Sequence, residues 1–121
     1  MDYMRNIFGA DLDPFVTWMD GNWPDLRTYV VQLIYGYYQS ETSVVDAVTT
    51  SQLNIATLIP MDVAPEVAWH MRGLVRNGGT LEQLRFAADV AIEICRLTDV
   101  RLKSRMPVPE EVVNVRRLMS L

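Results

Sequence analysis

His70 is the single histidine of this 121-residue sequence, and its ordinary pKa is the one best placed for moving protons near neutral pH. The groups that could share such work are Glu66, one helical turn earlier; Ser51 and Gln52, which interrupt an apolar stretch; and Tyr35, Tyr37 and Tyr38. An imidazole with hydroxyl, amide and carboxylate neighbours suits acid–base catalysis without a cofactor, the imidazole giving or taking a proton and the others orienting a carbonyl. Other chemistries lack their parts. Cys95 is the one cysteine, so there is no thiol pair for redox work or an intrachain disulfide. One histidine with Glu66 alone at helical spacing does not make a metal site. Phosphate-cradling glycine loops, a nucleophile elbow and dinucleotide fingerprints are missing.

The element that must position His70 lies within Met61 to Phe86. Pro65 suits a first helical turn, and Val67, Ala68, Met71, Leu74 and Val75 then fall on one face. Gly78 supplies a left-handed stop, and Thr80 with Gln83 forms a capping box for the next helix. The stretch reads as helix, tight turn, helix. His70 falls at the edge of the apolar stripe beside Glu66, Gly73 and Asn77. It is either a partly buried structural histidine bonded to a backbone carbonyl or a group facing a pocket. Trp69, Arg72 and Arg76 occupy the opposite side, a composition that suits a subunit interface.

The remaining chain reads as helices. Asp13 and Pro14 form an N-cap and first-turn pair for a short helix whose Trp18, with Trp23 beyond it, either packs or roofs a pocket. Pro24 opens a helix to about Tyr38, with Leu26, Val30, Leu33, Ile34 and Tyr37 on one face; Gly36 within it suggests close approach of a backbone or a bound molecule. A polar break, QSETS, places the next N-cap at Thr42 or Ser43, ahead of a helix from Val44 to Ile59 in which Ser51 and Gln52 sit on the apolar face. The helix from Leu81 to Leu97 is apolar over most of its circumference, with Arg85 and Asp89 spaced for an i,i+4 pair and Cys95 on its core side. A last helix from about Glu110 to Met119 follows Pro107 and Pro109, its Arg116 and Arg117 suiting the helix dipole, and is placed to pack across a partner subunit.

The fold class expected is therefore all-α: one domain over 1–121, a bundle of about six helices. Half the residues are hydrophobic, more than so small a domain needs for its own core, which favours an oligomer. A net charge of −4 with scattered arginines argues against nucleic-acid binding, and no charge-free run is long enough to span a bilayer. The lone cysteine and the absence of a signal-like start make the cytoplasm the expected setting.

The stretch AWHMRGLVRNGGTLEQLRFAADVA resembles the signature half of the carboxymuconolactone decarboxylase family, a histidine-bearing helix entering an N-G-x-T/S-x-E/Q turn and a second apolar helix. RNIFG, WPDLRTYVVQLIYGYY and TTSQLNIATLI resemble the family's earlier segments, so the likeness covers about residues 5–97 and leaves 105–121 as an extension helix. It implies an alkylhydroperoxidase D-like fold, a trimer or hexamer, a small-molecule substrate and no cofactor. The family's peroxidase relatives use E-x11-C-x2-C-x3-H; matched to His70, the cysteine positions are Val63 and Glu66 and the glutamate position is Ser51, so peroxidase chemistry is not implied. The family's acidic and arginine positions after the second glycine are also replaced, at Tyr37 and near Ser51. The resemblance then implies a lyase acting on an enolisable lactone or β-keto acid, with His70 catalytic and Ser51, Gln52, Tyr35, Tyr37, Tyr38 and Glu66 binding substrate. The alternatives are an isomerase, dehydratase or cyclase in a biosynthetic pathway, and a non-catalytic binding or assembly subunit.

Overall fold

Helix α5 (Ala64–Arg76) lies between two apolar clusters, and the rest of the chain is arranged about it. The structure is a computed structural model that describes residues 2–119, with side chains to 114; the side chains of Arg116 and Arg117 lie outside the described residues. Before α5 come α1 (Asp2–Phe8), a 3-10 turn (Gly9–Asp11), α2 (Leu12–Asn22), α3 (Pro24–Thr28), a π-helix (Tyr29–Tyr38) continuous with α3, and α4 (Ala47–Leu58). After it come α6 (Leu81–Leu97) and α7 (Pro109–Met119). The all-helical expectation holds: among the described residues there is no strand.

The stripe on α5 produces the first cluster. Val67, Met71 and Leu74 are fully buried against Ile55 of α4, Ile59 just past its end, and Leu84, Ala88 and Cys95 of α6, and Val112 and Val113 of α7 close the end. Each such aliphatic side chain contributes about 1.5–3 kcal/mol of transfer free energy. The sequence devices that fold this hairpin are in place. Gly78 has φ +92°, the Gly79 N–H returns to the Leu74 carbonyl at 2.9 Å, and Thr80 and Gln83 bond reciprocally at 3.2 and 2.9 Å. Cys95 is buried as a small apolar group, as expected. Asp62, in a left-handed conformation before α5, accepts the Lys103 and Ser104 N–H groups at 2.9 and 3.0 Å and ties the segment between α6 and α7 to the α4–α5 turn.

The second cluster corrects the expected subunit interface. Trp69 packs with Met4, Ile7, Phe8, Leu12 and Met19 of the same chain; its ring lies 5.0 Å from Phe8 and 5.5 Å from Phe15. Its Nε1–H donates to Asp11 Oδ2 at 2.9 Å, and Arg72 Nη2 reaches the same oxygen at 3.5 Å. Arg76 donates to the carbonyls of Asn6 and Ile7 at 3.1 and 3.0 Å, covering acceptors that the end of α1 leaves without helical partners. Aromatic and arginine residues suit any desolvated contact, so their clustering did not distinguish a partner subunit from the chain's own N-terminal helices. Likewise α7 packs on α5 and α6 of its own chain, and Arg85 pairs with Glu110 of α7 instead of Asp89.

Three local boundaries also differ from expectation. Helix α2 begins at Leu12 with no side-chain cap, and Asp13 stands 4.0 Å from Arg5. The cap of α4 is Asp46, whose Oδ1 accepts the Thr49 N–H at 2.8 Å, so Val44 precedes the helix and is 88% exposed. From Tyr29 to Tyr38 the winding is π, with N–H groups reaching carbonyls five residues back, as in Gln39 to Ile34 at 2.8 Å. The face expected from 3.6-residue spacing is therefore absent: Val31 is buried, while Leu33 and Tyr37 are exposed. A Cβ at Gly36 would lie 2.7 Å from the Val31 carbonyl oxygen, so the close backbone expected there belongs to this helix itself.

Helix α1 crosses α5 at Gly73, where a Cβ would fall 3.0 Å from Ile7 Cα and 2.5 Å from its Cδ1. Gly73→Ala is expected to lower unfolding stability in urea by about 1–3 kcal/mol. An unchanged midpoint would contradict this helix contact.

Candidate functional site

Three elements converge on His70. On α5 its ring is buried, at 4% exposed. Nε2 lies 3.1 Å from the hydroxyl of Tyr35, which the π-helix supplies, and Nδ1 lies 3.4 Å from the side-chain nitrogen of Asn54 on α4. That Asn54 nitrogen also donates to Gln39 Oε1 at 2.9 Å, just past the π-helix. An amide nitrogen only donates, so Nδ1 carries the lone pair and Nε2 carries the proton, donated to the Tyr35 oxygen. The Tyr35 ring lies near-parallel to the imidazole, 17° between planes with centroids 6.1 Å apart, and edge-on to Phe8 at 5.3 Å.

Burial sets the charge of this group. It pushes the imidazole pKa down to about 4, because the charged form loses its hydration. Burial likewise raises the Tyr35 phenol, helped by the negative charges of ionised Tyr3 and Glu66, and lifts Tyr3 to about 12. At neutral pH the cluster is therefore an uncharged ring and two protonated phenols. A general acid needs a pKa near the working pH, and this imidazole is far below it, with both nitrogens already engaged. Its evident effect is to tie α5, α4 and the π-helix together.

The other expected site residues are dispersed. Glu66 is half-buried and reaches the cluster only through its charge on Tyr35. Ser51 is buried and donates to the Ala47 carbonyl of its own helix at 2.9 Å. Gln52 donates to the Gln83 carbonyl at 2.9 Å, bracing α4 against α6. Tyr37 and Tyr38 are exposed and border a surface hollow of about 380 Å³ with Ser40 and Glu41. Trp18 and Trp23 are exposed as well. The sequence reading missed Asn54, Gln39 and Tyr3. Asn54 could have been found, since it sits three residues after Ser51 along the same apolar face. Gln39 and Tyr3 are placed by the π winding and by the α1–α5 contact, which leave no periodic signal.

A second feature lies on the surface. Leu53 and Ala56 of α4 and Phe86, Ala87 and Val90 of α6 line an apolar groove of about 240 Å³. Phe86 is 65% exposed, and the stripe continues along α6 through Val90, Ile94 and Leu97. Of the apolar circumference read from the sequence, α6 thus buries only the side that carries Leu84, Ala87, Ala88, Ala91 and Cys95. Among the described residues there is no group of three or more His, Cys, Asp or Glu side chains that could hold a metal, and no helix long and apolar enough to cross a membrane.

Comparison with known proteins changes the family reading. No family model matches the chain, and no solved structure does. It is 30% identical over 101 residues to peroxisomal protein 2 of Schizosaccharomyces pombe, covering 84% of this chain and 47% of the relative. It is also 30% identical over 102 residues to peroxisomal protein 2 of Saccharomyces cerevisiae, covering 84% of this chain and 36% of the relative. The chain spans less than half the length of these curated relatives. Their names overturn the carboxymuconolactone decarboxylase assignment, and with it the lyase, decarboxylase and isomerase readings. The motif that carried the assignment, RNGGTLEQ, is a helix stop followed by a capping box, a device for turning one helix into the next that specifies no chemistry. What this chain is similar to, over most of its length, is part of two yeast proteins named for the peroxisome.

Proposed function

We propose that the chain is a helical domain of a peroxisomal protein that works by docking protein on its α4–α6 face, with His70 as a structural node. The observation that carries this reading is the unpartnered stripe of Phe86, Val90, Ile94 and Leu97 beside Leu53. Contiguous apolar side chains at this exposure are a marker of interaction surfaces on folded domains. The compartment is carried over from the names of the two relatives. The neutral, doubly engaged imidazole supports a structural role for the cluster.

Two experiments test the reading. A fluorescent fusion of the full chain in yeast is expected to coincide with a peroxisomal matrix marker; diffuse cytosolic signal would contradict the compartment. In peroxisomal extract fractionated by size, the wild-type chain is expected above monomer mass and a Phe86→Asp, Val90→Asp variant at monomer mass, with its unfolding midpoint little changed because both positions are exposed. Wild-type chain at monomer mass would contradict docking.

The structural role of His70 has its own pH signature. Its folded pKa of about 4 lies below the ordinary value of 6.5, so between these values the unfolded chain binds more protons and stability falls as pH falls. The loss begins near the unfolded value, reaches about 3 kcal/mol and levels off below the folded one. Carboxylates such as Asp62 and Glu110, held low by hydrogen bonds, add an acid-side loss of the same sign. His70→Gln removes only the histidine contribution, so urea unfolding of the variant is expected to show a shallower decline between pH 6.5 and 4.5. Equal slopes for the two proteins would contradict a buried neutral ring.

A further inference from the structure

We infer that the occupant of the α4–α6 face is a second copy of this chain, its α6 packed antiparallel on the first across a two-fold axis near Asp89 and Val90. The inference rests on the docking reading above and adds the partner and its orientation. Phe86, Val90, Ile94 and Leu97 follow one another at helical spacing on the exposed side of α6. Beside that stripe, on the flank away from the groove with α4, runs an exposed charged ridge of Glu82, Arg85, Asp89, Glu93 and Arg96.

The order of charge along the ridge selects both partner and direction. A two-fold axis perpendicular to two antiparallel helices brings the same flank of each together, so ridge meets ridge with its order reversed. Centred on Asp89, this sets Glu82 opposite Arg96 and Arg85 opposite Glu93, each pairing occurring twice, with Asp89 against its own copy as the single like pair. The stripe has nearly the same centre: Val90 meets Val90, and Phe86 meets Ile94, which then lies at the height of the groove between Leu53 and Phe86. A parallel two-fold would instead bring opposite flanks together, setting the ridge against the groove side of the partner and leaving its charges without partners. Within the chain Arg96 pairs with Glu93 and Arg85 with Glu110, but these side chains are about half exposed, where ion pairs are weak and readily shared with a partner.

Photo-crosslinking tests occupant and docking together. With benzoylphenylalanine in place of Phe86 in the full chain in cells, irradiation is expected to give an adduct of twice the chain mass. An adduct of another mass would overturn self-association and leave the docking reading standing; no adduct would overturn both. Sedimentation equilibrium of the purified chain then tests the direction. Arg96→Glu is expected to weaken the dimer about tenfold, and Glu82→Arg combined with Arg96→Glu to return it to within about threefold of wild type. A monomeric wild-type chain at about 100 μM, above the micromolar dissociation range of ordinary specific interfaces, would overturn the proposal, as would a double variant no tighter than Arg96→Glu alone.

Discussion

An imidazole removed from water must remain neutral and find partners for both nitrogens, and that requirement governs the centre of this molecule. His70 meets it with a tyrosine from the π-helix and an asparagine from α4, so three elements are held together by one ring. Losing either partner would leave a buried polar atom unmatched, at about 1–3 kcal/mol. The same burial that makes the ring a good tie makes it a poor acid at neutral pH, because the charged form is the one the interior disfavours. Structure and chemistry pull in opposite directions at this position, and the geometry favours structure.

Around that node α5 acts as a two-sided beam. One side carries the aliphatic stripe that joins α4, α6 and α7; the other carries Trp69, Arg72 and Arg76, which bind the N-terminal helices by an aromatic cluster, a shared carboxylate and the carbonyls at the end of α1. Gly73 permits the approach, since any Cβ there would meet the Ile7 backbone. The N-terminal helices thereby cover a face of α5 that would otherwise need an outside partner, while the stripe on α6, like the aromatic side chains of the π-helix, stays open.

How much was legible in the sequence follows from how local each signal is. The α5–α6 hairpin was readable because Pro65, Gly78, Thr80 and Gln83 each act within a few residues. The π winding of Tyr29–Tyr38 was not, because it breaks the 3.6-residue period by which faces are assigned, and Leu33 and Tyr37 came out exposed as a result. The partners of His70 were half legible: Tyr35 was named, while Asn54 was passed over for Ser51 and Gln52, which bond to backbone carbonyls. The family resemblance failed for a related reason. A helix, a glycine stop and a capping box in fixed order describe a turn, and the relatives that share most of this chain's length are named for an organelle.

The claim on which this account depends is that the ring is neutral, with its proton on Nε2, throughout the physiological range. Nitrogen-15 NMR of the labelled imidazole across pH 5 to 8 reads this directly. A neutral ring gives an Nδ1 shift characteristic of an unprotonated nitrogen, an Nε2–H signal protected from exchange and no titration across the range. A midpoint near the ordinary value of about 6.5, with both nitrogens moving together, would contradict it.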